Sequence, residues 1–84
     1  MTPAARHAAA IAVLDRIASG EPAERALKSW ARGARYAGSG DRAALRDIVF
    51  DILRCRESCA ALGGGRDGRA LVLGHLRRCR VDPA

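Results

Sequence analysis

Arg25, Lys28, Arg32 and Arg35 follow one another at spacings of three, four and three. On a helix, where each residue advances about 100°, they fall within an arc of about 80° and make a continuous basic stripe. Guanidinium forks pair with phosphate oxygens bidentately and stack on flat rings, so such a stripe can grip a polyanion. A second row, Arg46, Phe50 and Arg54, recurs every fourth residue. There the flanking cations can hold phosphates while a base stacks on the ring between them. Arg6 and Arg42 are weaker candidates for the same chemistry. Two plainer readings stand beside these: a charged helix face is commonly just solvated, and Phe50 is a core residue if its helix is central to the bundle.

Other chemistry is less well supported. Cys55 and Cys59, then His75 and Cys79, put two ligand types at one-turn spacing on two helices, enough for a tetrahedral zinc site. Structural zinc sites usually draw one pair from a tight knuckle, and reduced cysteine on an apolar helix face behaves as a small hydrophobe. Core packing is therefore the expectation, and no metal is assigned. Gly63-Gly64-Gly65-Arg66-Asp67-Gly68 matches the G-x-G-x-x-G nucleotide fingerprint, but the fingerprint needs a preceding strand and this one comes after a helical pattern. A helix C-cap and turn is expected instead. Only His7 and His75 could serve as imidazole bases, and neither has a serine or cysteine in a turn signature beside it. Asp51 and Arg54, three apart, read as a surface ion pair, and Arg56 as a snorkelling edge residue.

The elements that must position these residues are helices. Thr2-Pro3 starts the first, with Ala10, Val13, Leu14 and Ile17 as its buried stripe and Gly20 as its end. Glu21-Pro22 starts a second, whose apolar side is Ala23, Ala26, Leu27, Trp30 and Ala34. Tyr36 to Gly40 reads as a loop, with Ser39 or Asp41 able to cap a third helix. That third helix buries Leu45, Ile48, Val49, Ile52 and Leu53 and runs to about Ala61. Asp67 is expected to cap a short fourth helix containing Ala70, Leu71, Leu73, His75 and Leu76. Arg77, Arg78 and Arg80 complement the dipole at its C-terminal end. Asp82-Pro83 disfavours more helix, so residues 81–84 read as the start of a linker and the chain as a fragment of a longer protein.

At 84 residues, a chain buries only about 60–65% of its unfolded surface, which leaves room for one core, in residues 1–80. Hydrophobic content of 49% with only 4% aromatic residues, and no sustained period-two alternation, points to an all-α fold packed through small side chains. The formal net charge is +6, and fourteen of the fifteen basic residues are arginine. A GC-rich genome enriches Ala, Gly and Arg together, so the placement of the arginines carries the argument rather than their number. Three cysteines without an apolar leader segment suggest a reduced, cytoplasmic chain. The apolar runs fall far short of the roughly 20 residues that span a bilayer, so a soluble protein with no membrane partner is expected.

From Pro3 to about Arg78 the chain resembles the NusB-like helical domain at the N-terminus of bacterial ribosomal RNA cytosine methyltransferases, the Sun or Fmu family. The best match is residues 41–54: an Asp-Arg pair, here Asp41-Arg42, opens the middle helix, and Leu-Arg, here Leu53-Arg54, closes it. An alanine-rich first helix, Gly20 and a second helix before the loop also fit. Asp51 stands where the family more often has glycine. The resemblance implies a NusB-like bundle of four or more helices that helps position small-subunit ribosomal RNA for a separate catalytic domain. That domain binds S-adenosylmethionine and attacks the cytosine ring with a cysteine from a Pro-Cys or Thr-Cys motif. Here the cysteines come after Arg54, Ser58 and Arg78, so this segment is expected to be catalytically silent and to hold no cofactor of its own. The related antitermination factors carry an arginine-rich N-terminus, of which this chain has only Arg6 and His7.

The expected partners are therefore ribosomal RNA, through Arg25, Lys28, Arg32 and Arg35, with Arg6, Arg42, Arg46 and Arg54 as weaker contacts, and a parent methyltransferase domain. The alternatives are a protein-docking module whose arginines serve solubility and internal salt bridges, and a freestanding antitermination-type factor.

Overall fold

The computed structural model describes residues 2–33 and 38–81, and these form five α-helices and no strand: α1 Pro3–Ala18, α2 Ala23–Gly33, α3 Ser39–Arg54, α4 Arg56–Gly63 and α5 Gly68–Val81. The all-α expectation holds. Thr2 caps α1 as its sequence suggests, its Oγ1 accepting the Ala5 N–H at 3.1 Å with proline in the first turn. At the other end Gly20 adopts φ 110°, a conformation closed to most residues. Arg16 then clamps the turn by donating to Glu21 at 2.7 Å.

Helix α1 packs against α2, α3 and α5, so its apolar stripe is the centre of the molecule. Ala10, Val13 and Leu14 are fully enclosed there, meeting Ala26 and Leu27 of α2, Leu45, Val49 and Ile52 of α3, and Leu71 and Val72 of α5 in one core. A buried leucine is worth about 1.5–3 kcal/mol relative to an exposed one, and Leu14, Leu45 and Leu71 are each 1% exposed. Alanines on α1 let its neighbours approach closely. Gly68 takes this furthest: a Cβ there would overlap the Ile11 carbonyl oxygen.

That close approach corrects the expected cap of the last helix. The first amide of α5, Gly68 N–H, donates at 2.7 Å to Oδ1 of Asp15 on α1, while Asp67 contributes the backbone carbonyl that accepts from Leu71. A carboxylate in this role is worth about 1 kcal/mol, and here it also ties the chain's first helix to its last.

The third helix does not run to Ala61. It ends at Arg54, the chain turns at Cys55 (φ −118°, ψ 33°), and α4 starts at Arg56. A straight continuation would carry residues 56–63 along the α3 axis; the bend lays them along α5 instead, where Cys59 is completely buried. Two glycines make that seam. A Cβ on Gly63 would overlap the Ala70 carbonyl, and one on Gly74 the Cys59 carbonyl, so the α4 and α5 backbones touch. Arg77 completes it by donating to the Leu62 carbonyl at 2.6 Å, serving the end of α4 rather than that of its own helix. Gly64 closes α4 in the left-handed region at φ 79°, and both Gly64 and Gly65 N–H groups reach back to the Ala60 carbonyl. Three glycines of the fingerprint-like run, Gly63, Gly64 and Gly68, are thus accounted for by close packing and one turn.

Ser39 and Gly40, expected in the loop, are the first turn of α3. Asp41 reaches back to accept the Gly38 N–H at 3.2 Å. Ala34 and Tyr36 of the expected second helix and loop, and Arg35 of the basic stripe, lie outside the described residues.

Candidate nucleic-acid interface

Helix α2 turns Ala26 and Leu27 inward and leaves Arg25, Lys28 and Arg32 exposed on its other side. None of the three forms an ion pair with another described residue. Their field is felt nearby: the Glu21 carboxyl is held below its usual value chiefly by its hydrogen bond to Arg16, with Arg25 adding a smaller attraction.

The weaker candidates sit differently. Arg6 donates to Asp41 at 2.9 Å, joining the starts of α1 and α3. Arg46 forms a two-pronged pair with Glu24 of α2, at 2.6 and 3.1 Å, and its guanidinium lies 5.1 Å from the centre of the Phe50 ring. Arg54 pairs with Asp51 at 3.1 Å, as its spacing suggests. Phe50 is neither core nor free: it is half-buried, packed against the core's edge. The row Arg46, Phe50, Arg54 is therefore largely engaged within the protein.

What the structure brings together is a groove of about 240 Å³ between α2 and α3. Leu27, Ala31 and Leu45 line its base, and Trp30, the chain's one tryptophan, lines it as a half-buried ring. Lys28 from α2 and Arg42 from α3 border it, and the Glu24–Arg46 pair bridges the two helices beside them. Neither Trp30 nor Glu24 is a candidate from sequence, where Trp30 belongs simply to the apolar side of its helix. Its size is the available signal, because an indole is rarely buried completely and its neighbours on that face are mostly alanine.

A second, more open depression is lined by Phe50, Asp51, Arg54 and His75. Asp51 is its hub: besides Arg54, its Oδ2 lies 3.4 Å from His75 Nδ1 and 4.0 Å from Arg78. Burial lowers the His75 pKa from its ordinary value, against the attraction of Asp51 and with help from the positive charges of His7 and Arg78. Cys59 is core and Cys55 is half-buried at the α3–α4 bend. The Cys79 and Arg80 side chains lie outside the described residues, and Arg56 is exposed. No group of three or more metal-ligating side chains converges among the described residues, and none of their helices is long and apolar enough to cross a membrane. No family model, curated protein or solved structure matches this chain.

Proposed function

We propose that this chain is an RNA-binding helical domain that positions ribosomal RNA for an S-adenosylmethionine-dependent cytosine methyltransferase, and that it does no chemistry itself. The observation that carries the binding half is the distribution of charge. Arg6, Arg16, Arg46, Arg54 and Arg66 are each paired with a carboxylate of the same chain, whereas Arg25, Lys28 and Arg32 stand together on one exposed helix face with no such partner among the described residues. An unneutralised row of cations on a rigid helix is what a phosphate backbone requires. The methyltransferase half rests on the resemblance of residues 41–54 to the NusB-like family.

The test is the salt dependence of affinity for small-subunit ribosomal RNA fragments. Three phosphate contacts give a slope of log affinity against log salt of about −2 on a single strand and about −3 on a duplex. A slope near zero overturns the reading. It would favour the docking module, which has its own supporting observation: Leu73 and Leu76 are each 40% exposed and line, with Ile11 and Val72, an apolar groove between α1 and α5.

A further inference from the structure

The α2–α3 groove has features that a basic stripe alone does not need. It is a recess with an apolar base, an aromatic ring in its lining and cations at its border. Its volume of about 240 Å³ lies below the range of roughly 300–1,000 Å³ typical of pockets for drug-sized ligands, which suits one flat ring better than a whole dinucleotide or a peptide helix. Both carboxylate oxygens of Glu24, the acid at the groove, are engaged by Arg46, so its charge is met locally and the border keeps the positive sign of Lys28. Lys28 belongs to both the groove and the stripe, and Arg25 and Arg32 lie one turn from it on either side. A strand whose phosphates track the stripe therefore passes the mouth of the groove.

From this we infer that the groove is a slot for one unpaired nucleobase of an RNA strand, which stacks against Trp30 while Lys28 holds the adjoining phosphate. This rests on the RNA-binding reading and sharpens it: the chain prefers RNA with a looped-out or single-stranded residue over a continuous duplex. Stacking tolerates any base, because every base has a π-face.

Trp30 is its own reporter, being the only tryptophan. The full chain is titrated with an RNA stem-loop and with a blunt RNA duplex of equal charge, following Trp30 emission and the amide shifts of residues 25–32 together. The expected result is saturable quenching by the stem-loop and none by the duplex. Trp30→Leu should then weaken stem-loop binding by roughly 5- to 150-fold, the value of one base–aromatic stack, while Trp30→Phe keeps most of it. Amide shifts on α2 with Trp30 emission unchanged would overturn the slot and leave RNA binding standing; no response to either RNA would overturn both. If Trp30→Leu fails to fold, the quenching of the unsubstituted chain still decides.

Discussion

Replacing Arg25, Lys28 and Arg32 together by glutamate is expected to lower affinity for ribosomal RNA fragments by at least about 100-fold at 0.1 M salt. On a single strand each phosphate contact contributes about 0.7 to the salt slope, so three carry about two decades of affinity between 1 M and 0.1 M salt. Reversal adds repulsion to that loss. The effect is readable as binding because the fold hardly depends on these side chains. They are exposed and make no ion pair with another described residue, and surface changes of that kind usually shift stability by no more than about 0.5 kcal/mol. At position 25, in the first turn of α2, a glutamate even complements the helix dipole. Fluorescence anisotropy against salt, with circular dichroism as the folding control, gives both numbers. An affinity that survives the triple change would move the interface elsewhere on the bundle.

The largest effect on stability is expected from one methyl group. Gly74→Ala puts a Cβ onto the carbonyl of Cys59, in contact with that residue's carbonyl carbon and Cα as well. All of these are backbone atoms, so no side chain can swing aside and α4 has to lift from α5. Overpacking of this sort reaches about 3 kcal/mol. The better helix propensity of alanine returns about 1 kcal/mol, which leaves a net loss of about 2 kcal/mol. In a domain of this size that lowers the melting temperature by about 8–16 °C. Gly40→Ala is the control: nothing lies within 4 Å of its would-be Cβ, so only the propensity gain applies and the melting temperature should hold or rise. A Gly74→Ala chain that melts with the unsubstituted one would mean that α4 is not seated on α5 as described.

Those glycines show where the sequence was legible and where it was not. Ala10, Val13 and Leu14, or Leu45, Val49 and Ile52, announce their helices and their buried faces because amphipathic spacing is a local property. The break at Cys55 has no local signature: Cys55 and Cys59 keep the four-residue spacing of an unbroken helix, and only the presence of α5 makes bending favourable. Gly63 and Gly68 look like turn or fingerprint, and Gly74 like one more position within a helix, until the backbone each one meets is known. Asp15 sits 53 residues from the amide it caps, a pairing no window can reveal. The candidate site was legible in the same partial way. The stripe on α2 comes from spacing alone, but which arginines are taken up by Glu24, Asp41 and Asp51 depends on how helices lie beside one another. So does the placing of Trp30 and Arg42 around one groove.

Acid should unfasten this bundle unevenly. Asp41 accepts from Arg6 of α1 and from the Gly38 amide at once, and these bonds, Arg6 first, hold its carboxyl below the ordinary value of 3.8. A carboxyl that binds its proton less readily folded than unfolded stabilises the fold above that ordinary value, and the contribution drains away as pH falls through the lowered one. The clasp between the starts of α1 and α3 is thus sensitive to protons. The α4–α5 seam itself, made of glycine against carbonyl, has none to take up, although His75 on α5, whose pKa burial lowers, must accept its proton against that burial as pH falls.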